Sequence, residues 1–456
     1  MRPQYQTPSI GGAYYQCAAS AAFFGTFSGV SRLNSIPTER GHLILKRILP
    51  LLLAVALLLG GCAGKTAVPD ATTAPQRASG TQALYASAHS AAIEPLAPDE
   101  TFARAAVSFS LSLLKNDIAA NETDILSPYS VLTALAMTAN GADGNTLAQM
   151  EQVLGLPAPE LNRYLCANVQ QQGDELVTAN SVWFANGCGV SDEFLSLLAD
   201  CYKADAFAAD FNEQTIDDAN AWVSDHTDGR IPTLLDRLEP NTIMLLLNAL
   251  TFDAEWETPF EAERTGDASF TTADGTEQTV SMMHGRAPVY LEDDLCTGFE
   301  KPYSGGRYRM IALLPKTDLR TLLDGLDTER WFALLDGAED ASVEVAMPRL
   351  SLETSRMLRN TLSAMGMPDA FDAGKADLSR LCSAPAYIGQ VVHKTFLTVD
   401  EDGTQAAAAT AVEIMEKAIH WEGRQIVLNR PFLLAIVDSQ TGLPVFLGTV
   451  NEITKG

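Results

Sequence analysis

Val391-Val-His-Lys-Thr-Phe-Leu-Thr-Val-Asp-Glu-Asp-Gly-Thr-Gln-Ala-Ala-Ala-Ala-Thr-Ala-Val412 is the stretch on which the reading of this chain turns. A β-rich run ends in an acidic turn at Gly403, and Thr404 to Ala411 then carries seven small residues out of eight. Two local structures fit. As a helix, Ala favours the conformation, and Ala411, Val412, Ile414, Met415, Ala418 and Ile419 have i, i+3, i+4 spacing. As a strand, Thr404, Ala406, Ala408, Thr410, Val412 and Ile414 line one face, all small or apolar, while Gln405, Ala407, Ala409, Ala411, Glu413 and Met415 line the other. A slip of one residue would bury Gln405 and Glu413, so the strand register is specified. Local propensity leaves helix and strand equally open.

Around this stretch lies a chain of 456 residues with 46% apolar and 19% charged residues, and 31 Lys+Arg against 57 Asp+Glu, a formal charge of -26. It is too apolar for a disordered chain and too acidic for a general nucleic-acid binder. Helical patterns come first: Phe102, Ala105, Ala106, Phe109 and Leu113 share a face, and Pro128 starts a helix-favouring run from Val131 to Ala139. Strand patterns follow at Val177 to Phe184, Met244 to Phe252, Arg309 to Leu314 and Ser342 to Met347, which read as strands buried on both faces. The order implies an α+β fold with large sheets rather than alternating βαβ units.

Upstream, Lys46-Arg47, the apolar stretch Ile48 to Leu59 and Leu59-Gly60-Gly61-Cys62 read as a signal peptide, too short to span a bilayer. Cys62 after Leu-Gly-Gly resembles a bacterial lipobox, which implies a lipidated Cys62 on an exported protein. Residues 1–61 are expected to be signal peptide with an upstream extension, translation starting near Leu43. Residues 62–97, rich in Ala, Thr, Ser, Pro and Gln, are expected to be a disordered tether, and 98–456 the folded domain.

Catalytic motifs mostly fail. Gly64-Lys65-Thr66 lacks the first glycine of a phosphate-binding loop. Ser112 and Lys115 match a Ser-x-x-Lys pattern without its companion motifs and read as a helix-surface pair. No Gly-x-Ser-x-Gly, His-Glu-x-x-His or Cys-x-x-Cys occurs, and no His lies within four positions of another His or of a Cys, so there is no local metal signature.

Several separate segments resemble the serpin family, in the family's order: Asp124 to Met137, Asn140 to Met150, Ala219 to Ile231, Leu247 to Phe252 with Trp256, Val343 to Pro348, Asn429 to Phe432, and Phe446 to Gly448. The resemblance covers residues 99–454. It implies about nine helices around three β-sheets, with a large central sheet and an exposed reactive loop. It also implies the activity: an endopeptidase inhibitor, not an enzyme, whose loop is bait for a serine protease. The attacked loop forms an acyl-enzyme and inserts into the central sheet before hydrolysis, a strand addition that releases stored strain.

Residue by residue, the resemblance assigns the hinge to Gly403, Thr404, Gln405, Ala406, Ala407, Ala408, Ala409 and Thr410. Gln405 stands where the family usually has Glu. Counting fourteen residues past Gly403 gives a scissile bond Lys417-Ala418, with Lys417 suited to a trypsin-like pocket. The loop to Pro431 is about three residues longer than the common pattern, so Met415 or Ile414, suited to elastase- or chymotrypsin-like enzymes, are alternatives. Ser127, Ser130, Asn248 and His393 match the polar cluster under the sheet centre, called the shutter. Glu401, Arg349 and Trp256 match the charge pair and its neighbour at the sheet top.

The expected partner is a serine protease in covalent complex, held by a monomer that touches membrane only through its lipid anchor. The expected location is the outer face of the cell membrane, with shedding as an alternative. No nucleic acid, cofactor or metal is implied. A non-inhibitory serpin acting as a binding module or protease substrate is the second reading, and a hydrolase built on Ser112 and Lys115 the third. Cys166, Cys188, Cys201, Cys296 and Cys382 match no family framework, and no required disulfide is expected. Removing residues 1–61, which hold five basic side chains and Glu39, leaves 26 basic against 56 acidic residues. That acidity disfavours a domain lying flat on an anionic membrane.

Overall fold

The computed structural model describes residues 80–87, 93–118, 121–171, 173–239, 242–381, 383, 385–405 and 423–453. The chain divides into two units, Met1–Thr73 and Ala74–Gly456, and all described residues belong to the second. The reactive-bond candidates Ile414, Met415, Lys417 and Ala418, the hinge residues Ala406 to Thr410 and the lipidation candidate Cys62 lie outside the described residues.

The central sheet has eight strands. In order they are β1 (Gln82–Ala83), β4 (Asp205–Ala209), β3 (Leu176–Ala185), β5 (Met244–Phe252), β13 (Gln390–Val399), β14 (Gly403–Gln405) and β6 (Ala254–Glu255), and β12 (Leu350–Met357) also pairs with β13. The second sheet has nine: β15 (Arg424–Val427), β11 (Glu339–Pro348), β8 (Glu277–Glu292), β9 (Cys296–Pro302), β10 (Tyr308–Pro315), β16 (Phe432–Asp438), β17 (Pro444–Val450) and β2 (Asp124–Leu126), with β7 (Gly266–Thr271) beside β8. Three sheets were expected, and the described residues form two hydrogen-bonded sheets. The reason is β8, which runs 16 residues without a break. Its first half pairs with β7 and its second half with β9, so strands that would belong to separate sheets share one backbone.

Nine helices occur among the described residues: α1 (Glu100–Asp117), α2 (Pro128–Ala139), α3 (Gly144–Leu154), α4 (Ala158–Gln171), α5 (Asp192–Tyr202), α6 (Glu213–His226), α7 (Leu319–Gly325), α8 (Thr328–Asp336) and α9 (Arg359–Met365). Helix α2 places the site. It starts with Ser127 as N-cap and Pro128 in its first turn, where a missing N–H costs nothing. Every residue of it is buried, as its apolar composition demands, between β5 and β17. On the opposite face of the central sheet, α6 packs Ala219, Trp222 and Val223 against Trp183, Leu245 and Leu247. Strand β5 is therefore covered on both faces and buried throughout.

Two expectations are corrected. The tether does not run unstructured to residue 97: β1 pairs antiparallel with β4 (Gln82↔Ala208, Ala83↔Phe207), and the Leu96 N–H donates to the Arg163 carbonyl at 3.0 Å. The exposed edge of β4 offers unpaired backbone groups, which any extended segment within reach satisfies whatever its composition. The cysteines also pair. Cys166 on α4 bonds Cys201 on α5, 35 residues apart, and Cys188 is disulfide-bonded as well. Cys296 is free and buried. The tertiary packing of α4 on α5 brings the first two together, which spacing in the sequence did not indicate.

Candidate functional site

Strand β13 leaves the sheet at Val399, turns, and returns as β14. Asp400 makes the turn: its Oδ1 accepts the N–H groups of Asp402 (3.0 Å) and Gly403 (3.2 Å), and its own N–H donates to the Gly403 carbonyl (3.0 Å). Strand β14 pairs antiparallel with β13 on one side (Thr398↔Gln405, Val399↔Thr404) and with β6 on the other (Gly403↔Glu255, Thr404↔Ala254). Below this wedge β5 and β13 pair directly and in parallel, Gln390–Phe396 against Leu245–Thr251. The chain after Val399 therefore already holds a strand position at one end of a seam whose other end is closed.

Gly403 is demanded by close approach, because a Cβ there would press on the Ala254 carbonyl and lie 2.8 Å from Glu255 Cα. Thr404 is fully buried, its hydroxyl 2.5 Å from that of Tyr303, and Tyr303 stacks on Trp256 at 4.4 Å. The backbone of Gln405 continues β14.

Arg349 grips Glu401 through two nitrogens, Nη2 to Oε1 at 2.7 Å and Nε to Oε2 at 2.9 Å. Glu401 also accepts from the Thr265 hydroxyl, and its side chain is only 9% exposed. Burial opposes its charge, but the Arg349 and Thr265 hydrogen bonds win and lower its pKa. Trp256 flanks the pair: its N–H donates to the Asp402 carbonyl (2.8 Å) and its indole to that of Asp400 (3.0 Å). A bidentate, half-buried pair of this kind is more than a surface bridge.

Along the closed seam, His393 and Asn248 are direct neighbours on β13 and β5. His393 Nε2 accepts the Ser127 N–H at 3.0 Å, so the ring proton sits on Nδ1, which has no partner among the described residues. Burial drives its pKa down to about 3, and the ring is neutral. The Ser130 hydroxyl donates to Asn248 Oδ1, Asn248 Nδ2 donates to Asn180 Oδ1 at 2.5 Å, and Ser127 Oγ caps the Ser130 N–H at 3.3 Å. The four residues named from sequence thus converge through α2, β5 and β13. Asn180 on β3 was missed; its signal was an amide inside the apolar run Val177 to Phe184. Tyr303 and Thr265 were missed too, and nothing local marked them. Ser112 and Lys115 sit on the surface of α1, the first half-buried and the second exposed.

Residues 104–453 match the family model described as serpin, serine protease inhibitor. An uncharacterised serpin-like protein of Thermococcus kodakarensis is 31% identical over 90% of this chain and all of the relative. Leukocyte elastase inhibitor of Homo sapiens is 32% identical over 76% of this chain and 97% of the relative. The thermophilic serpin tengpin in its native state superposes with TM-score 0.72 at 38% identity, covering 79% of this chain and 98% of tengpin.

The chain belongs to the serpin family. In this fold the short strand β14 is wedged at one end of the seam, with the Arg349–Glu401 pair beside it and the polar cluster of Ser127, Ser130, Asn248 and His393 along the directly paired β5 and β13.

Proposed function

We propose that this serpin inhibits serine proteases by trapping the acyl-enzyme, its cleaved loop continuing β14 down the seam between β5 and β13. The observation that carries the reading is the register of β14. Extended antiparallel to β13, the pairing Val399↔Thr404 continues as Leu397↔Ala406, Thr395↔Ala408, His393↔Thr410 and Val391↔Val412. The inward positions then fall on small or apolar residues, and Thr410 would meet the histidine whose Nδ1–H has no partner among the described residues. In the reaction, a protease serine attacks the Lys417 carbonyl, the amine of Ala418 leaves, and the acyl group stays on the serine. Insertion converts parallel β5–β13 pairing into two antiparallel ladders, which supports a downhill step.

Lys417 fits a trypsin-like target, with Met415 and Ile414 as the bonds for elastase- or chymotrypsin-like enzymes. Incubation with trypsin and with elastase, followed by denaturing electrophoresis, tests this. A denaturant-resistant species of summed mass supports the inhibitor. Complete conversion to clipped chain at every ratio excludes it for those proteases and leaves a non-inhibitory serpin. We further propose export and anchoring on the outer membrane face through lipid on Cys62; a fatty-acid label that persists in Cys62→Ala would overturn it.

A further inference from the structure

Next to the loop's point of departure lies a buried cation. Lys301, on β9, is 2% exposed. Its ammonium donates to the carbonyls of Thr258 (2.6 Å) and Arg286 (3.4 Å) and lies 4.4 Å from the Phe260 ring centre and 5.3 Å from that of Trp256. Its partners are two carbonyls and two aromatic faces, an arrangement that suits a charge held in place. The segment it grips is the same one that grips the loop turn. Trp256 N–H donates to Asp402, the Trp256 indole to Asp400, and Phe260 N–H to the Glu401 carbonyl at 2.9 Å. One side chain thus ties β8 and β9, through a five-residue strap, to the turn from which β14 starts.

We propose that Lys301 is a positioning residue for loop insertion: its ammonium bolts the 256–260 strap against the Asp400–Asp402 turn and so sets how readily the loop beyond Thr404 enters the seam. The proposal rests on the insertion reading and adds a control to it. For the loop to advance, β5 must part from β13; the strap follows β5 and β6 directly in the chain and, bolted to the turn, resists that parting, so a weaker bolt makes insertion faster.

The bolt is also sensitive to pH. Burial pushes the Lys301 amine down to about 8, so it is charged at neutral pH and neutral a little above. Around it stand Arg286 and Arg264 on Glu344, Glu255 and Glu257 near or on the strap, Asp340 across the rim, Glu300 with Arg309, and Glu401 with Arg349. His284 is lowered by burial and is neutral between pH 7 and 9, and burial raises Tyr303 out of that window. The charge that changes is that of Lys301. Two effects then have opposite signs. The strap loosens as pH rises through 8, while global stability rises between 8 and the unfolded value of 10.5, because the unfolded chain keeps its proton longer.

Amide hydrogen exchange on the full chain tests the bolt without any protease. Protection at Trp256 and Phe260, corrected for intrinsic rates and referred to an amide of β10, should fall about tenfold in Lys301→Met at pH 7. The midpoint of thermal unfolding should hold or rise, since a buried charge is gone. Wild-type protection should fall from pH 7 to 9 while that of Lys301→Met stays flat, and Lys301→Arg should restore the pH 7 value. A synthetic peptide of residues 404–415 should anneal into Lys301→Met about tenfold faster than into wild type, by native electrophoresis. Unchanged strap protection in Lys301→Met, or a flat wild-type profile should the variant not fold, overturns the proposal. A peptide that anneals into neither protein sinks the insertion reading alone, because exchange still decides the strap.

Discussion

Thr404 has no solvent exposure and a hydroxyl already engaged by Tyr303, so this position tolerates little. Thr404→Arg puts an unpaired charge at a position already buried in β14, which costs several kcal/mol and displaces the strand that the inserting loop must continue. Trapped protease per mole of inhibitor should fall at least about tenfold in favour of clipped chain, read by titration against trypsin. Full trapping stoichiometry in that variant would show the register to be wrong. His393 makes the second residue-scale prediction. Its folded pKa is about 3 and its unfolded value 6.5, so between these the unfolded chain binds a proton that the native one does not. Stability is therefore complete above pH 6.5 and falls as pH drops toward 3, by up to a few kcal/mol, with Glu401 adding to the loss below its unfolded value of 4.5. His393→Gln should flatten the difference in urea-unfolding free energy between pH 7 and 4.5; an unchanged difference would place the linkage elsewhere. Ser127, Ser130, Asn248 and His393 were legible because short motifs surround them. Tyr303 and Lys301 were not, since their partners lie about 100 and 43 residues away.

At the scale of elements, the strands β3, β5, β10 and β11 were legible, because continuous apolar runs need cover on both faces. The merging of sheets through β8 was not, since pairing partners cannot be read from a strand's own composition. Nor was β1: a segment poor in apolar residues orders here by donating backbone hydrogen bonds to an open edge. The bond between α4 and α5 yields a further prediction. Closing a loop of 35 residues restricts the unfolded chain, so Cys201→Ala should lower the unfolding free energy by about 3 kcal/mol, measured by urea titration without reductant. A loss below about 0.5 kcal/mol would mean that helix packing alone holds this corner.

For the whole molecule, insertion requires a native state that is not the most stable arrangement of the chain. Limited cleavage in the loop should therefore raise the thermal midpoint by more than about 10 °C, several kcal/mol at this size. Scanning calorimetry of intact and cleaved protein decides it: a cleaved chain melting at or below the intact one would remove the driving force. By itself the sequence determined the α+β class, and the serpin resemblance picked out Ser127, Ser130, Asn248 and His393, which the fold brings together, because period, side-chain size and local motifs are properties of the chain. Only the tertiary structure decided where β14 begins. The Asp400 turn brings Gly403 against Ala254 and Thr404 under Tyr303, which puts β14 between β13 and β6. It also decided that a lysine 100 residues before the loop lies against its strap. Such juxtapositions come from packing elements distant in sequence, and no local pattern encodes them.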